Sequence, residues 1–451
     1  MSNKAAFFSK NIRFILDACL FVIFLTSSFD TVFNLKISGF TIRICTLMML
    51  LFSTIILILW FAEKQKKNIQ FLGFWSFIIW LAILIGFTSN SILITRGIGY
   101  TSWLVIFFLF VLTMGLYVRS YPHYQKQLFM YIRSFTIIGV LAVVQLLGVL
   151  VGFKSIISFY FMSGIPRIHG FSYEPSYFST YLIIPWTFHF FLYFTKNNEL
   201  KKQTWNLFSL LLLTFVILFS FSRMGILLMS FIIFGKLCAV IIPSILRLKI
   251  RRSHFYFFSV SLFLVGVLFF TALLNLDSFI SLFEGLPFFS EYAHSASIRM
   301  DSFLHTWKVF LHSPLYGYSL GGVAPAIAKL NGITSITQEI VKNYEGLCVF
   351  LEILAASGIL GFVFFAFFLS KILFSTQLLK KEIKKSNQGF SNSSLINIHN
   401  LLLIGLIAQL ILLCLNQNIL RNYLWVHFSI LNLSFFLTKK QIKNSDKTLH
   451  D

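Results

Sequence analysis

Twelve long apolar stretches constrain this chain more than any other feature of its sequence. Each holds about 20 mostly hydrophobic residues, the length a helix needs to cross a hydrocarbon core about 30 Å thick. The runs are continuous rather than alternating, which excludes an outer-membrane barrel. The stretches cover residues 14–32, 38–61, 69–88, 100–118, 129–152, 175–195, 205–221, 224–243, 255–275, 347–370, 400–415 and 422–438. The sequence therefore predicts an all-α polytopic membrane protein with about twelve transmembrane helices.

Composition and charge agree with a membrane protein. Of the 451 residues, 57% are hydrophobic and 12% are charged, too few for the surface of a soluble domain. Most of the 37 basic residues fall in every second connection between the stretches. This positive-inside pattern predicts that both termini are cytoplasmic. Anionic headgroups account for the basic loops, so we expect membrane lipid and no nucleic acid as a partner.

The connections between the stretches predict where chemistry takes place. Two external loops are long, and one carries an aromatic-rich segment with helical spacing that predicts an amphipathic helix near 296–312 at the membrane surface. The predicted order is helices 1–9 over 1–275 with an external loop at 153–174, a large external loop at 276–346, helices 10–12 over 347–438 and a cytoplasmic tail at 439–451.

A metal site is not expected in the large loop. His305 and His312 are seven residues apart on the predicted helix, about 10 Å along its axis. Two ligands at about 2 Å from one ion cannot come from that spacing without a bend. The five cysteines are scattered singly, with no CxxC pair, and are interpreted as small buried hydrophobes.

Arginines at the external ends of the predicted helices have two interpretations. They are either interfacial anchors that snorkel to water or parts of an anion clamp, because the planar guanidinium binds phosphate through two hydrogen bonds. Several converging on one external cavity would suit a pyrophosphate. The best placed are Arg167, Arg223, Arg299 and Arg421, with Arg43 and Arg96 less well placed.

Two carboxylates stand out among fifteen. Glu174 precedes Pro175 at the start of the sixth stretch, where it is either an N-cap-like residue or a general base or sugar-hydroxyl binder. Glu352 lies inside the tenth stretch, where an unpaired charge costs a few kcal/mol and must pair, protonate or line a wet cavity. No Ser–His–Asp, Cys–His, P-loop or paired-acid arrangement is visible, so a soluble nucleotide-dependent enzyme is not expected.

Four segments resemble a known family. "RIHGFSYEPSYFSTYL" from Arg167 resembles the arginine and GF-x-x-EPS box of the O-antigen polymerase (Wzy-type) family, and "FSFSRMG" at 219–225 resembles its serine–arginine step. Arg299 with "SPLYGYSLGG" resembles a loop pattern shared with the O-antigen ligases, and "FLEILAASGILGF" at 350–362 resembles the helix that closes that loop. Together they cover roughly residues 160–365.

The resemblance implies a GT-C-like glycosyltransferase bundle in the bacterial inner membrane, with its active site facing the periplasm. It implies metal-independent transfer, without a cofactor, from an undecaprenyl-pyrophosphate-linked oligosaccharide to a sugar hydroxyl of another repeat unit. A membrane protein that sets chain length is an implied partner. On this basis we assign residues to three roles: pyrophosphate binding by Arg167, Arg223 and Arg299, catalysis by Glu174, with His169 and Glu345 as substitutes, and cavity lining by Tyr173, Ser222, Glu352 and Arg421.

Two other functions remain open from the sequence. An O-antigen ligase uses the same donor, but "KNYEGLCVFLEIL" lacks the His-Asn pair that many ligases carry there. A transporter or flippase for lipid-linked sugars would commonly be built from internal repeats, and no convincing similarity between the two halves of the chain is found.

Overall fold

The computed structural model describes residues 10–37, 40–62, 69–153, 160–162, 165–194, 205–246, 294–385, 393–416 and 419–447. Their structure is predominantly helical. In chain order the helices are α1 Lys10–Thr26, α2 Ile44–Ala62, α3 Phe74–Gly86, α4 Ile94–Tyr117, α5 Tyr121–Leu150, α6 Pro175–Phe194, α7 Trp205–Phe219, α8 Arg223–Leu246, α9 His294–His312, α10 Val323–Leu330, α11 Gln338–Val341, α12 Val349–Leu373, α13 Ser375–Lys385, α14 Ser393–Asn416 and α15 Asn422–Lys447. Short 3₁₀ turns follow α3 at Phe87–Asn90 and α11 at Lys342–Tyr344.

Helices occupy the apolar stretches, except that 255–275 lies outside the described residues. Within the described part of the chain, five helices are long and apolar enough to cross a membrane. They are Ile44–Ala62, Ile94–Tyr117, Tyr121–Leu150, Val349–Leu373 and Leu395–Leu415. The protein is therefore a helical membrane protein.

Two short antiparallel hairpins interrupt the helical pattern. In the first, β1 (Asn34–Ile37) pairs with β2 (Phe40–Arg43), so that Asn34 faces Arg43. In the second, β3 (Tyr160–Met162) pairs with β4 (Ile165–Arg167). The first hairpin moves the start of the second helix from the expected residue 38 to residue 44. Apolar content alone does not distinguish these strands from a helix, because both kinds of element bury hydrophobic side chains.

The chain forms two compact units. The first unit contains residues 1–138 and 302–451, and the second contains 139–301. In the first unit α12 packs on α3, α2 on α4 and α15 on α14. Its core is aromatic: the rings of Phe77 and Phe108 stack at 5.1 Å, and Phe77 also contacts Phe368 and Trp425 edge-on. Such ring pairs add about 1 kcal/mol each beyond their buried area.

In the second unit α6 packs on α7 and α8. Trp186 Nε1 donates to Thr214 Oγ1 at 2.9 Å, which satisfies the indole N–H inside an apolar interface. Gly225 on α8 faces Ser179 on α6, and a Cβ at this position would overlap the serine hydroxyl. The glycine therefore lets α8 approach α6 at the turn that carries Arg223.

Candidate functional site

A turn between α7 and α8 carries the first candidate site, in the second unit. Helix α7 ends at Phe219, whose carbonyl accepts from Ile168 N at 2.9 Å. Arg167 binds the turn that follows: its Nε donates to the Ser220 carbonyl at 3.1 Å and its Nη2 to the Phe221 carbonyl at 3.0 Å. Phe221 has a φ of 47°, a left-handed conformation rare for an aromatic residue. Arg167 thus fixes a strained turn and places a positive charge beside it.

Arg223 follows this turn directly as the first residue of α8. It is half-buried, and no hydrogen bond or ion pair joins its side chain to another residue in the described ranges. Ser222, which precedes it, is buried, and its carbonyl accepts from Ile226 N at 2.9 Å as the helix begins. The first amides of a helix and its dipole also favour an anion. Arg167, the start of α8 and Arg223 therefore form a positively charged turn, which we call the arginine turn.

Glu174 lies at the start of α6 in the same unit. Its carbonyl accepts from Tyr177 N and Phe178 N, so its backbone begins the helix. Its half-buried side chain accepts from Ser176 Oγ at 3.0 Å. Among the described residues, no cation pairs with this carboxylate. Its oxygens can therefore accept a proton, or a hydrogen bond from a hydroxyl group.

His169 and Tyr173 precede Glu174 on the same segment and differ in exposure. His169 is buried, and its Nδ1 lies 2.8 Å from the Ser172 carbonyl. A carbonyl only accepts, so Nδ1 carries the hydrogen, and in the neutral ring Nε2 carries the lone pair. Tyr173 is exposed and its ring lies 6.4 Å from that of Tyr177. The segment thus offers an oriented imidazole and a carboxylate.

The first unit contains a second polar cluster, centred on Arg96. Arg96 is only 2% exposed, and its Nη2 donates to Glu345 Oε1 at 2.7 Å and to Tyr100 Oη at 2.7 Å. Tyr100 Oη also donates to Glu345 Oε1 at 2.8 Å, and Arg96 Nη1 donates to Gln338 Oε1 at 3.3 Å. Glu345, assigned from sequence as a substitute base, already accepts two hydrogen bonds on Oε1. Its geometry is that of a residue that neutralises Arg96.

Glu352 lies on the first turn of α12 in the same unit. It is 5% exposed, and its Oε2 has no hydrogen-bond partner among the described residues. The charges of Glu345, Arg96 and Arg421 lie close enough to act on it electrostatically. Gly346 lies next to it, since a Cβ there would stand 3.4 Å from the Cβ and Cγ of Glu352.

Arg421 belongs to another charged group of the first unit. It is buried, and its Nη1 lies 3.5 Å from Asp30 Oδ2, while Arg43 Nε lies 2.7 Å from Asp30 Oδ1. The first hairpin and the start of α15 supply the two arginines. One buried carboxylate therefore holds two guanidinium groups.

The glycine-rich "PLYGYSLGG" segment, a weak phosphate-cradle pattern by sequence, packs against a break in α12. Helix α12 kinks at Gly358, whose φ is 60°. Gly317 faces the kink with a φ of 66°, and a Cβ there would overlap the Ala356 carbonyl. Three backbone hydrogen bonds join segment and kink: Tyr318 N to the Ala355 carbonyl at 3.1 Å, Ser319 N to the Ala356 carbonyl at 2.7 Å and Ile359 N to the Pro314 carbonyl at 2.8 Å. These glycines hold in place the N-terminal part of α12, which carries Glu352.

The structure brings together only some of the residues assigned from sequence. Arg167, Ser222 and Arg223 meet at the arginine turn, with Glu174, His169 and Tyr173 on the segment that follows Arg167. Glu345 and Glu352 lie with Arg421 in the first unit. Arg299 lies on α9, and its side chain is outside the described part of the structure.

Arg96 makes more contacts in the structure than its position in the sequence predicted. Its helix was expected to begin at residue 100, which left Arg96 in a loop, whereas α4 begins at Ile94. Arg96 and Tyr100 are then four residues apart on one helical face, which is the spacing that lets their side chains meet. An arginine and a tyrosine at this spacing beside an apolar run were the signal available in the sequence.

Among the described residues, no group of three or more histidine, cysteine, aspartate or glutamate side chains is placed to hold a metal ion. Comparison of the chain with protein-family models, with curated proteins and with solved structures found no match.

Proposed function

We propose that this protein is a membrane glycosyltransferase that polymerises undecaprenyl-pyrophosphate-linked repeat units into O-antigen, capsule or a related surface polysaccharide. Its place would be the bacterial inner membrane, with the active site on the periplasmic face. The proposal rests on the four resembling segments and on the helical membrane architecture. Two of those segments, around Arg167 and around Arg223, meet at the arginine turn.

The arginine turn carries the proposal. A guanidinium that is half-buried, next to helix N-terminal amides and without a carboxylate partner in the described ranges is suited to a phosphate group. Arg167 cannot swing away freely, because the two carbonyl groups of the turn hold it. Arg223 would then bind the lipid pyrophosphate, with Arg167 positioning the turn and adding charge, and Arg299 contributing from α9.

In the proposed reaction a sugar hydroxyl of the acceptor attacks the anomeric carbon of the donor. A new carbon–oxygen bond forms, and the bond from that carbon to the pyrophosphate oxygen breaks, with its electron pair leaving on the pyrophosphate. Arginines stabilise this developing charge, so the scheme needs no metal. The hydroxyl proton goes to a base, for which Glu174 is the first choice, with His169 Nε2 as the alternative. Glu345 is not the preferred base, because its Oε1 atom already accepts from Arg96 and Tyr100.

Surface polysaccharide from a strain that lacks this chain tests the proposal. The strain is complemented with the wild type, with Arg167→Ala or with Lys236→Ala, a basic residue of α8 far along the helix from the turn. We expect a ladder of chain lengths with the wild type and Lys236→Ala, and only single repeat units with Arg167→Ala. Polymer that forms but stays on its lipid carrier would identify a ligase. Repeat units that never reach the outer face would identify a flippase.

A further inference from the structure

Several buried polar atoms of the first unit have no hydrogen-bond partner among the described residues. Among them are the Oε2 atom of Glu352, both amide atoms of Gln409 and the Nε atom of Arg96. Glu352 is 5% exposed, Gln409 is 0% exposed and Arg96 is 2% exposed. Buried polar groups without hydrogen bonds are uncommon in native proteins and require an explanation.

Glu352 and Gln409 come from neighbouring helices at the same level. Helix α12 packs on α14, and the thiols of Cys348 and Cys414 meet at the outer end of this pair. Glu352 lies four residues along α12 from Cys348, about 6 Å of rise, and Gln409 lies five residues before Cys414, about 7.5 Å. The carboxylate and the amide are therefore at nearly the same depth.

The segment that precedes α12 packs next to Glu352. A Cβ on Gly346 would stand 3.4 Å from the Glu352 side chain, and Ser302 Oγ donates to the Glu345 carbonyl at 3.3 Å, which ties the segment to α9. Arg96 is held beside it by Glu345 and Tyr100. We call the group formed by Glu352, Gln409 and Arg96, together with the neighbouring Glu345 and Gly346, the Glu352 site.

The unpartnered atoms of the Glu352 site include both hydrogen-bond donors and hydrogen-bond acceptors. The Glu352 oxygen and the amide oxygen of Gln409 accept hydrogen bonds, whereas the amide nitrogen of Gln409 and Arg96 Nε donate. A fully ionised pyrophosphate offers only acceptors, so it cannot donate to the amide oxygen of Gln409. A sugar hydroxyl both donates and accepts, so a ring with neighbouring hydroxyls satisfies both kinds of group. A transmembrane carboxylate of this kind marks a functional site by default.

We propose that the Glu352 site binds the saccharide part of a lipid-linked glycan through its hydroxyl groups. This deepens the proposed function, on which the choice of a lipid-linked glycan rests. The carboxylate of Glu352 accepts from one hydroxyl, and the Gln409 amide donates to and accepts from a neighbouring one. Pyrophosphate is not a ligand of this site.

The test measures binding to the full-length protein in lipid nanodiscs. One probe is the lipid-linked saccharide extracted from cells that lack this chain, and the other is undecaprenyl pyrophosphate without sugar. The variants are Glu352→Gln and Gln409→Leu, and Glu382→Gln is the matched control, since that carboxylate pairs with Lys439. Thermal unfolding of each variant checks that it is folded.

We expect saccharide binding to weaken at least about tenfold in Glu352→Gln and in Gln409→Leu, the loss associated with a hydrogen bond to a charged or buried group. The control variant keeps the wild-type affinity, and the carrier without sugar binds all proteins equally. Unchanged saccharide affinity in both variants would overturn the proposal. It would indicate that ordered water molecules satisfy the unpartnered groups. Equal weakening for both probes would overturn it as well, because the site would then act on the carrier.

Chain elongation by the wild-type protein, followed in the same nanodiscs, separates this proposal from the proposed function. Elongation with unchanged saccharide affinity in the variants refutes only the Glu352 site. Absence of elongation with variant-sensitive saccharide binding refutes only the polymerase. The latter result would identify a protein that binds or moves lipid-linked glycans.

Discussion

Arg96 in the first unit and Arg223 in the second occupy similar local positions with opposite surroundings. Each lies in the first turn of a helix that follows a short connection. Arg96 is enclosed and bound to Glu345 and Tyr100, whereas Arg223 is half-buried and has no partner among the described residues. The comparison teaches that a helix-start arginine becomes a structural group when a carboxylate reaches it. Without one, it keeps a charge that can bind an anion.

The largest effect is expected at Arg223. Arg223→Ala should lower chain elongation about a thousandfold, about 4 kcal/mol of transition-state stabilisation, because removing one charge-stabilising donor costs a factor of 10²–10³. Elongation of extracted lipid-linked repeat units by the purified protein measures it. Lys236→Ala, which removes a positive charge from the same helix, serves as control. Wild-type rates in Arg223→Ala would place the pyrophosphate elsewhere.

Arg96→Ala should act on stability instead. The substitution removes the donor that Glu345 and Tyr100 share and leaves a cavity in a buried region. We expect the free energy of unfolding to fall by about 3 kcal/mol. Thermal unfolding of the detergent-solubilised protein measures the loss, and Arg223→Ala is the comparison that should leave the midpoint nearly unchanged. The double change Arg96→Met with Glu345→Leu should recover much of the stability. An unfolding midpoint equal to that of the wild type in Arg96→Ala would show that the ion pair is not structural.

Glu174→Gln separates acid–base chemistry from helix capping. Glutamine still accepts from Ser176, and the Glu174 carbonyl still begins α6, so the local structure should persist. A general base contributes at least about a hundredfold, about 2.7 kcal/mol, so elongation should fall by that factor while expression is unchanged. Ser176→Ala, which removes only the hydrogen bond, should have a small effect. Normal chain growth with Glu174→Gln would transfer the role of base to His169.

The smallest effect is expected at the exposed pair of Glu382 and Lys439, whose charged atoms lie 3.0 Å apart. Both side chains are about a third exposed, and such pairs contribute less than about 1 kcal/mol. Glu382→Gln should therefore shift the unfolding midpoint by a degree or two at most and leave elongation intact. A loss comparable with that of Arg96→Ala would contradict the distinction between buried and exposed ion pairs.

Much of the fold could be predicted from the sequence, because apolar length is a local property. Helices occupy the apolar stretches in the described ranges, and the helix expected near 296–312 lies at His294–His312. The predicted helix boundaries are wrong where contacts with another segment determine the end of the helix. The first hairpin takes residues 40–43 from the second predicted helix, and α4 begins six residues earlier than expected.

The candidate site was predictable only in part. Arg167 and Arg223 were identified as external arginines, but their meeting at one turn depends on Arg167 reaching the carbonyl groups at the end of α7, 53 and 54 residues away. Glu345 was assigned as a substitute base from the family resemblance. Its partner Arg96 is 249 residues away, a separation no local pattern reveals.

The sequence by itself determined that this chain is a helical membrane protein with charged residues collected at helix ends, since hydrophobic length and charge placement act along the chain. Only the tertiary structure decided which charges are neutralised. Arg96 and Arg421 are held by carboxylates from distant segments, while no residue in the described ranges pairs with Arg223 or with the Glu352 carboxylate. The physical reason is that electrostatic pairing depends on distance in space, and packing of distant helices sets that distance.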